Sequence, residues 1–459
     1  MEDKALSQVD LIREAFHYQS RFEGSTMVFK IEFPVTEDPL FPYLMKDLAL
    51  LAKTGFKIVI VPGAKEWIDS VLAEYGIVSS YTEIPGEMKG PASGALRITT
   101  AEAIPFVEMA AFHVAARFMT FLSASRVDAA IGNFIRARGL GIVNGLDMEH
   151  TGTVDKILTG SIERLLREGM APILPCIGYS PAGKPYNVPS DGIALAASSA
   201  LGAVKLFIVS LSGGLSAEKL RIPHGIEVGE NGRIIRLRPA EAGVVLEANS
   251  KAAESGNQDE SSAEQLRELH LALQASRAGV ERVHIISGRE EGSVLRELFS
   301  NLGSGTMIYA DEYESIRPLH SRDIPDVLRL MEPLMQKDIL VRRTAEQIQE
   351  KKDDYVVFEI DSSVHACGAL HDWGEGQAEI AAIATDPLYA DMGLGRRIVG
   401  CLKERAEKLG FRRVFVLTTA THDWFEFLGF REAAVETLPE RKRTVYNQNR
   451  KSKVFALNL

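Results

Sequence analysis

Gln377-Ala378-Glu379-Ile380-Ala381-Ala382-Ile383-Ala384-Thr385-Asp386-Pro387-Leu388-Tyr389-Ala390-Asp391-Met392-Gly393-Leu394-Gly395-Arg396-Arg397 reads as a strand that runs through a turn into a helix. The apolar run predicts a strand over 378–385, and the apolar spacing after the turn predicts a helix over 394–409. Gly393 and Gly395 relieve side-chain crowding where the chain turns. Such a helix points its unpaired N-terminal N–H groups at the turn, which makes an anion site. Backbone donors from Met392 to Arg396 suit a pyrophosphate, and Arg396 and Arg397 add charge. Two glycines alone decide little, because a plain strand–helix turn favours glycine as well.

Downstream, Arg413-Val414-Phe415-Val416-Leu417-Thr418-Thr419 predicts another strand, followed by a short helix closing on Trp424-Phe425-Glu426-Phe427-Leu428-Gly429-Phe430. Upstream, a strand is expected from Ile316, a helix over 324–335, and a hairpin of strands over 355–361 and 365–371. Residues 1–310 alternate amphipathic helices, such as 39–53 and 104–121, with short apolar strands at 27–31, 57–61, 171–175, 205–209 and 283–286. That alternation is the signature of a mainly parallel sheet covered by helices. The stretch 247–262 is polar, acidic and rich in Ser, Asn and Gly, so a loop is expected there, before a helix over 262–278. The fold class is therefore α/β, with domains over 1–312 and 313–459.

Composition narrows the function. The 459 residues are 46% hydrophobic and 25% charged, as in an ordinary globular protein. The net charge of −10 argues against a general nucleic-acid binder. Neither a signal sequence nor an uninterrupted apolar run of bilayer length is visible, so a cytoplasmic protein away from the membrane is expected. Three scattered cysteines, Cys176, Cys367 and Cys401, support no disulfide framework and no metal site; each is expected in a core. A basic cluster, Arg441, Lys442, Arg443, Arg450, Lys451 and Lys453, stands out near the end of an otherwise acidic chain.

The order strand, glycine turn, helix, strand and closing Phe-x-x-x-Gly-Phe over 316–459 resembles the GNAT family of N-acetyltransferases. The resemblance implies acetyl-CoA as cosubstrate, with Ile383, Thr385, Met392, Gly393, Leu394, Gly395 and Arg396 holding it between two strands that splay apart. The family turn usually has Gln or Arg where this chain has Ala390, which shifts weight to backbone N–H groups and Arg396. The reaction needs a proton acceptor for the amine, a donor for the oxyanion, and a proton for the leaving thiolate. Glu379, beside the cofactor strand, suits the first, the Ile383 N–H the second, and the Thr418 hydroxyl the third.

Over nearly its whole length the chain resembles the bacterial N-acetylglutamate synthase family, an amino-acid-kinase-like domain followed by a GNAT domain. The carriers in the first part are 18–30, 186–210 and 280–306, with Val280-Glu281-Arg282-Val283-His284-Ile285-Ile286-Ser287-Gly288 prominent among them. Kinases of this family hold ATP phosphates on glycine-rich backbone after the first two strands. Here those positions read Glu32-Phe33 and Pro62-Gly63-Ala64-Lys65, so no kinase activity is expected, and Lys30, Asn187 and Asp191 are read as structural. The resemblance implies L-arginine as feedback inhibitor at His284, Gly288, Glu297 and Gly303. It implies L-glutamate as acceptor, its two carboxylates met by Arg343 and Arg450, with Ser452 as added donor. It also implies a homo-oligomer built from dimers, possible as a hexameric ring, through an N-terminal helix over 12–22. Two alternatives stay open: a non-catalytic arginine sensor, and an acetyltransferase for another amine.

Overall fold

Unbroken runs of Val, Ile, Leu and Phe form strands buried on both faces. In the computed structural model these runs build the centre of the first of two units, Met1–Asp311 and Glu312–Leu459. The structure describes residues 16–459 apart from 17, 21, 84–94, 230, 255–258, 300–303, 310–313, 361–362, 388 and 390–392.

In the first unit eight strands, β1 (Thr26–Ile31), β2 (Lys57–Pro62), β3 (Ala129–Ile131), β4 (Ala171–Ile173), β5 (Lys205–Ser210), β6 (Arg236–Leu237), β7 (Arg282–Ser287) and β8 (Thr306–Tyr309), form one sheet. Its order is β6-β8-β7-β5-β1-β2-β4-β3, and only β7 and β8 run antiparallel. β1 sits centrally, and Met27, Val28, Phe29 and Ile31 are fully buried between helical layers. Phe29 stacks on Phe207 of β5 at 4.7 Å, so the two strands meet through side chains as well as their ladder. A four-stranded sheet, with order Pro185–Asn187, Ile177–Tyr179, Ile135–Gly139, Gly152–Ile157, completes the unit. The expected mainly parallel α/β architecture is what forms.

One expectation needs correction. Residues 247–254 are not a loop: they continue the helix Pro239–Glu254. Asn249, read as a turn residue, is buried, and its amide accepts from Arg221 N at 2.9 Å and donates to the Arg221 carbonyl at 2.9 Å. The polar side chain is thus used inside, to tie a neighbouring loop to the helix. The next helix, Glu260–Arg277, starts where Asp259 accepts the Ser262 N–H at 2.8 Å. By length and mean hydropathy alone Ile104–Ala124 could cross a membrane. It carries Glu108, His113 and Arg117, and buries Val107, Ala111, Val114 and Phe118 in the unit's own core. Most of the helix expected over 12–22 lies outside the described residues; Tyr18 and Phe22 are buried, with parallel rings 6.3 Å apart.

The second unit is a seven-stranded sheet: β9 (Glu314–Pro318), β10 (Tyr355–Ile360), β11 (Ser363–Asp372), β12 (Gln377–Thr385), β13 (Arg413–Thr418), β14 (Arg431–Ala433) and β15 (Lys453–Asn458). Its order is β9-β10-β11-β12-β13-β15-β14, antiparallel throughout except between β12 and β13. That one parallel pair is joined by the helix Leu394–Lys408, as a parallel connection requires. The helix Ile324–Gln336 packs Val327, Leu330 and Met331 with Tyr355, Val357 and Cys367 in the second core.

Gly288, just after β7, shows how tightly the first core closes. A Cβ at this position would lie 2.5 Å from Val35 Cγ1, and Val35 is fully buried. Gly288→Ala should therefore destabilise the first unit by about 1–3 kcal/mol, the usual cost of overpacking. Urea unfolding of that variant measures it, and an unchanged midpoint would contradict the packing.

Candidate active site

β12 and β13 share a ladder for only three residues, Gln377, Ala378 and Glu379 against Arg413, Val414 and Phe415. Beyond Glu379 the two strands part. On its other edge β12 pairs Ala381 with Ala369 and Ala384 with Cys367, so Ala382 and Ile383 together oppose Gly368. Two residues against one is a β-bulge, and Ala382 takes φ +56° to accommodate it. On the β13 side the main chain of 380–385 thus has no paired strand among the described residues, and Ile383 has no register partner on either neighbouring strand. Thr385, half-buried, ends the strand.

Eight residues further on, Gly393 adopts φ +61° and opens the helix Leu394–Lys408. A left-handed residue favours glycine, because a side chain there costs roughly 1–2 kcal/mol. No side chain caps this helix and no acidic residue sits in its first turn. Arg397 N–H closes onto the Gly393 carbonyl at 3.2 Å, and the amides of Leu394, Gly395 and Arg396 have no partner among the described residues, so they are available to an anion. Arg396 is exposed and lies 5.7 Å from the Phe427 ring centre. Met392 and Ala390 lie outside the described residues.

Glu379 sits where the strands part, and it is buried. Its Oε2 accepts from Trp373 Nε1 at 2.8 Å and from Lys442 Nζ at 2.6 Å. Lys442 also lies 4.5 Å from the Trp373 ring centre. An ammonium therefore pairs with this carboxylate, their side chains 12% and 9% exposed. Removing one member of so buried a pair strands the other, at a cost on the order of 3–5 kcal/mol. Sequence reading recorded Lys442 only as part of a basic cluster and missed Trp373, because no spacing rule joins positions 373, 379 and 442. The neighbouring His371, opposite Glu379 in the ladder, bonds Asp354 at 2.6 Å.

Thr418 is buried near the end of β13. Its hydroxyl oxygen accepts the amides of Ala420 and Thr421 at 3.3 and 3.1 Å and lies 3.0 Å from Thr421 Oγ1. It organises the turn into the helix His422–Phe427, a structural duty beyond the proton donation expected of it. Arg343 is half-buried, and one of its guanidinium nitrogens is buried with no hydrogen-bond partner among the described residues. Its charge reaches Tyr355, Cys367 and His371. Arg450 instead spends one nitrogen on the carbonyls of Asp338 at 2.6 Å and Ile339 at 3.3 Å, four to five residues before Arg343. Ser452 is buried, and its carbonyl accepts from the Tyr446 hydroxyl at 2.5 Å. Burial pushes the Cys367 thiol up to about 12, which leaves it a poor nucleophile. Cys176 is buried too, whereas Cys401 is only half-buried, contrary to the core position expected of it.

In the first unit, Lys30 is buried and its ammonium bonds Glu32 and lies 2.5 Å from Asp191. Burial pulls its pKa down, but Asp191 and Glu32 together overcome that and hold it charged above the ordinary lysine value. A carboxylate of this chain thus satisfies the cation at the end of β1. Asn187 donates to Thr99 Oγ1 at 3.0 Å, a tie between two chain segments. His284 and Glu297 are both buried and bond Nδ1 to Oε1 at 2.8 Å. Glu297 Oε2 accepts Ser304 N–H at 2.7 Å, so each of its two oxygens already takes one hydrogen bond from the chain. Gly303 lies outside the described residues, and Gly288 lies against Val35.

Residues 34–287 match the amino acid kinase family and residues 322–430 the acetyltransferase (GNAT) family. The amino-acid acetyltransferase of Pseudomonas paraeruginosa is 33% identical, covering 98% of this chain and 99% of that protein. The amino-acid acetyltransferase of Pseudomonas putida is 32% identical over 97% and 98%. Among solved structures, N-acetylglutamate synthase from Neisseria gonorrhoeae complexed with coenzyme A and L-arginine superposes with a TM-score of 0.81 at 30% identity, covering 99% of this chain and all of that one. The same synthase complexed with coenzyme A and N-acetyl-glutamate gives 0.59, again at 30% identity over 99% and 100%.

The His284–Glu297 pair makes a pH prediction. Burial lowers His284 to about 4, so the ring is neutral in the fold and donates its Nδ1 proton to an ionised Glu297. A depressed folded pKa gives stability that is fully present above the unfolded value near 6.5 and lost as pH falls toward 4. The loss should amount to roughly 3 kcal/mol. Urea unfolding between pH 7 and 4 should show that slope in the native chain and a flatter one in His284→Gln; equal slopes would contradict the assignment.

Proposed function

This chain belongs to the amino-acid acetyltransferase family, and from that premise we propose that it transfers the acetyl group of acetyl-CoA to the α-amine of L-glutamate, giving N-acetyl-L-glutamate, the first step of arginine synthesis. The observation that carries the reading is the gap that opens beyond Glu379, with a buried carboxylate at its neck and a bare helix N-terminus at its far end. The free amides of Leu394, Gly395 and Arg396, with the Arg396 guanidinium, hold the pyrophosphate of the cosubstrate, and the exposed edge of β12 from Ile383 to Thr385 lines its pantetheine arm. Glu379 takes the proton of the attacking amine. The nitrogen lone pair adds to the thioester carbonyl, whose oxyanion Ile383 N–H stabilises. As the C–S bond breaks, the Thr418 hydroxyl at the end of β13 passes a proton to the sulfur while it takes one up from Thr421 or solvent, and the nitrogen gives its remaining excess proton to solvent, leaving the amide and a neutral thiol. Transfer is direct, since the Cys367 thiol is fully buried and strongly protonated.

Arg343, one of whose buried guanidinium nitrogens has no partner among the described residues, and Arg450, which holds the Asp338 and Ile339 carbonyls, supply the two cations a dicarboxylate needs, with Ser452 as an added donor. The first unit, residues 1–312, serves as a regulatory domain for L-arginine rather than as a kinase, and residues 313–459 as the catalytic domain. Support for the effector comes from the L-arginine in the gonococcal complex. Support for the lost kinase activity comes from Glu32, which occupies with its carboxylate the place where phosphate oxygens would need Lys30. Arginine binding around His284, Gly288, Glu297 and Gly303 requires exchanging one of the Glu297 bonds for the guanidinium. Assembly as a dimer-based homo-oligomer in the cytoplasm completes the reading; three free cysteines suit a reducing compartment.

A thiol-release assay with acetyl-CoA and a panel of amino acids, with and without arginine, tests this. L-Glutamate should give release well above other amines. Arg343→Met and Arg450→Met should each lower kcat/KM for glutamate about 10- to 100-fold, as expected for losing one charge-assisted hydrogen bond to a carboxylate. Equal rates with ornithine or lysine would sink the glutamate assignment.

A further inference from the structure

Trp373 and Lys442 both donate to the same oxygen of Glu379, Oε2, at 2.8 and 2.6 Å. No donor among the described residues reaches Oε1. The carboxylate is therefore gripped on one side only, in an environment where its side chain is 9% exposed. A second grip locks the first, because Lys442 stacks its ammonium 4.5 Å from the Trp373 ring centre, so indole and ammonium fix one another as well as the acid. The three groups come from separate places: Trp373 from the turn between β11 and β12, Glu379 from the last paired position of β12, Lys442 from the short helix Glu440–Arg443.

Resting on the reading of Glu379 as the proton acceptor, we infer that Trp373 and Lys442 are positioning residues that clamp Oε2, so that Oε1 alone is presented to the substrate amine. A free glutamate side chain rotates about three bonds and offers either oxygen. Two donors on one oxygen remove that freedom before substrate arrives, and a base held within reach of its proton gains in rate what it no longer loses in orientation. The arrangement also assigns Lys442 away from substrate binding, despite its place in the basic C-terminal cluster, because its ammonium is spent on the enzyme's own carboxylate.

Steady-state kinetics with acetyl-CoA and L-glutamate on the full chain separate these roles. Lys442→Met should lower kcat about 10- to 100-fold, the worth of one charge-assisted hydrogen bond, with KM for glutamate changed less than about threefold. Trp373→Phe should lower kcat less, by about 3- to 10-fold, and Lys442→Arg should restore most of the lost rate. In a Glu379→Gln background, Lys442→Met should cost nothing further, since the clamp then has no base to hold. Should Glu379→Gln retain the native kcat, the base reading itself falls. If Glu379→Gln is inactive while Lys442→Met and Trp373→Phe keep native kcat, only the clamp is overturned. A rise confined to KM for glutamate in Lys442→Met overturns it too, by making Lys442 a substrate ligand.

Discussion

The early parting of β12 from β13 is the constraint on which the second unit depends. Three paired residues bind the strands at one end, and a bulge at Ala382 and Ile383 turns β12 away beyond them. A sheet normally satisfies its own backbone groups, so an opening in the middle of one leaves donors and acceptors to be met by a ligand or by water. The helix Leu394–Lys408 then presents a second set of unpaired amides to the region where that opening leads. An extended molecule carrying amides at one end and a diphosphate at the other fits such a pair of edges. The acid Glu379 sits at the neck, where the strands are still joined.

Charge in this protein is used locally and mostly inside. The chain carries a net −10, yet each deeply placed carboxylate of the two sites has its own donor: Glu379 has Lys442 and Trp373, and Glu297 has His284 and Ser304. Lys30 shows the same economy reversed, a buried cation satisfied by two acids of the chain. Isolated, any of these groups would be expensive to bury; paired, they specify one arrangement of side chains. At the end of β1 in particular, a buried cation is met by two carboxylates of the chain itself.

Legibility in the sequence followed the physics of each feature. The long central strands of both large sheets were readable because buried strands need unbroken apolar runs, and the helix after Gly393 because glycine and apolar spacing mark it, whereas β3, β6, β8, β14 and β15 were not named. The helix over 247–254 was not readable, because Asn249 looks like a turn former unless one knows that Arg221 offers it a carbonyl and an amide. Local position was enough to pick out Glu379. Its environment was not, since Lys442 is brought to it from 63 residues away by the sheet alone. The same holds for Thr418 and Arg450: residue type suggested chemistry, whereas the fold shows the hydroxyl organising a turn and the guanidinium holding two carbonyls. Hydrogen-bond partners distant in the chain leave no periodic mark, and that is where reading by pattern stops.

A crystal structure of the full chain grown with coenzyme A tests the account most directly. The pantetheine arm should lie along the edge of β12 from Ile383 to Thr385, with the diphosphate on the amides of residues 393–396 and the sulfur within about 4 Å of the Glu379 side of the gap, the reach of a near-attack geometry. Coenzyme A bound away from that gap, with the two strands closed upon each other, would contradict it.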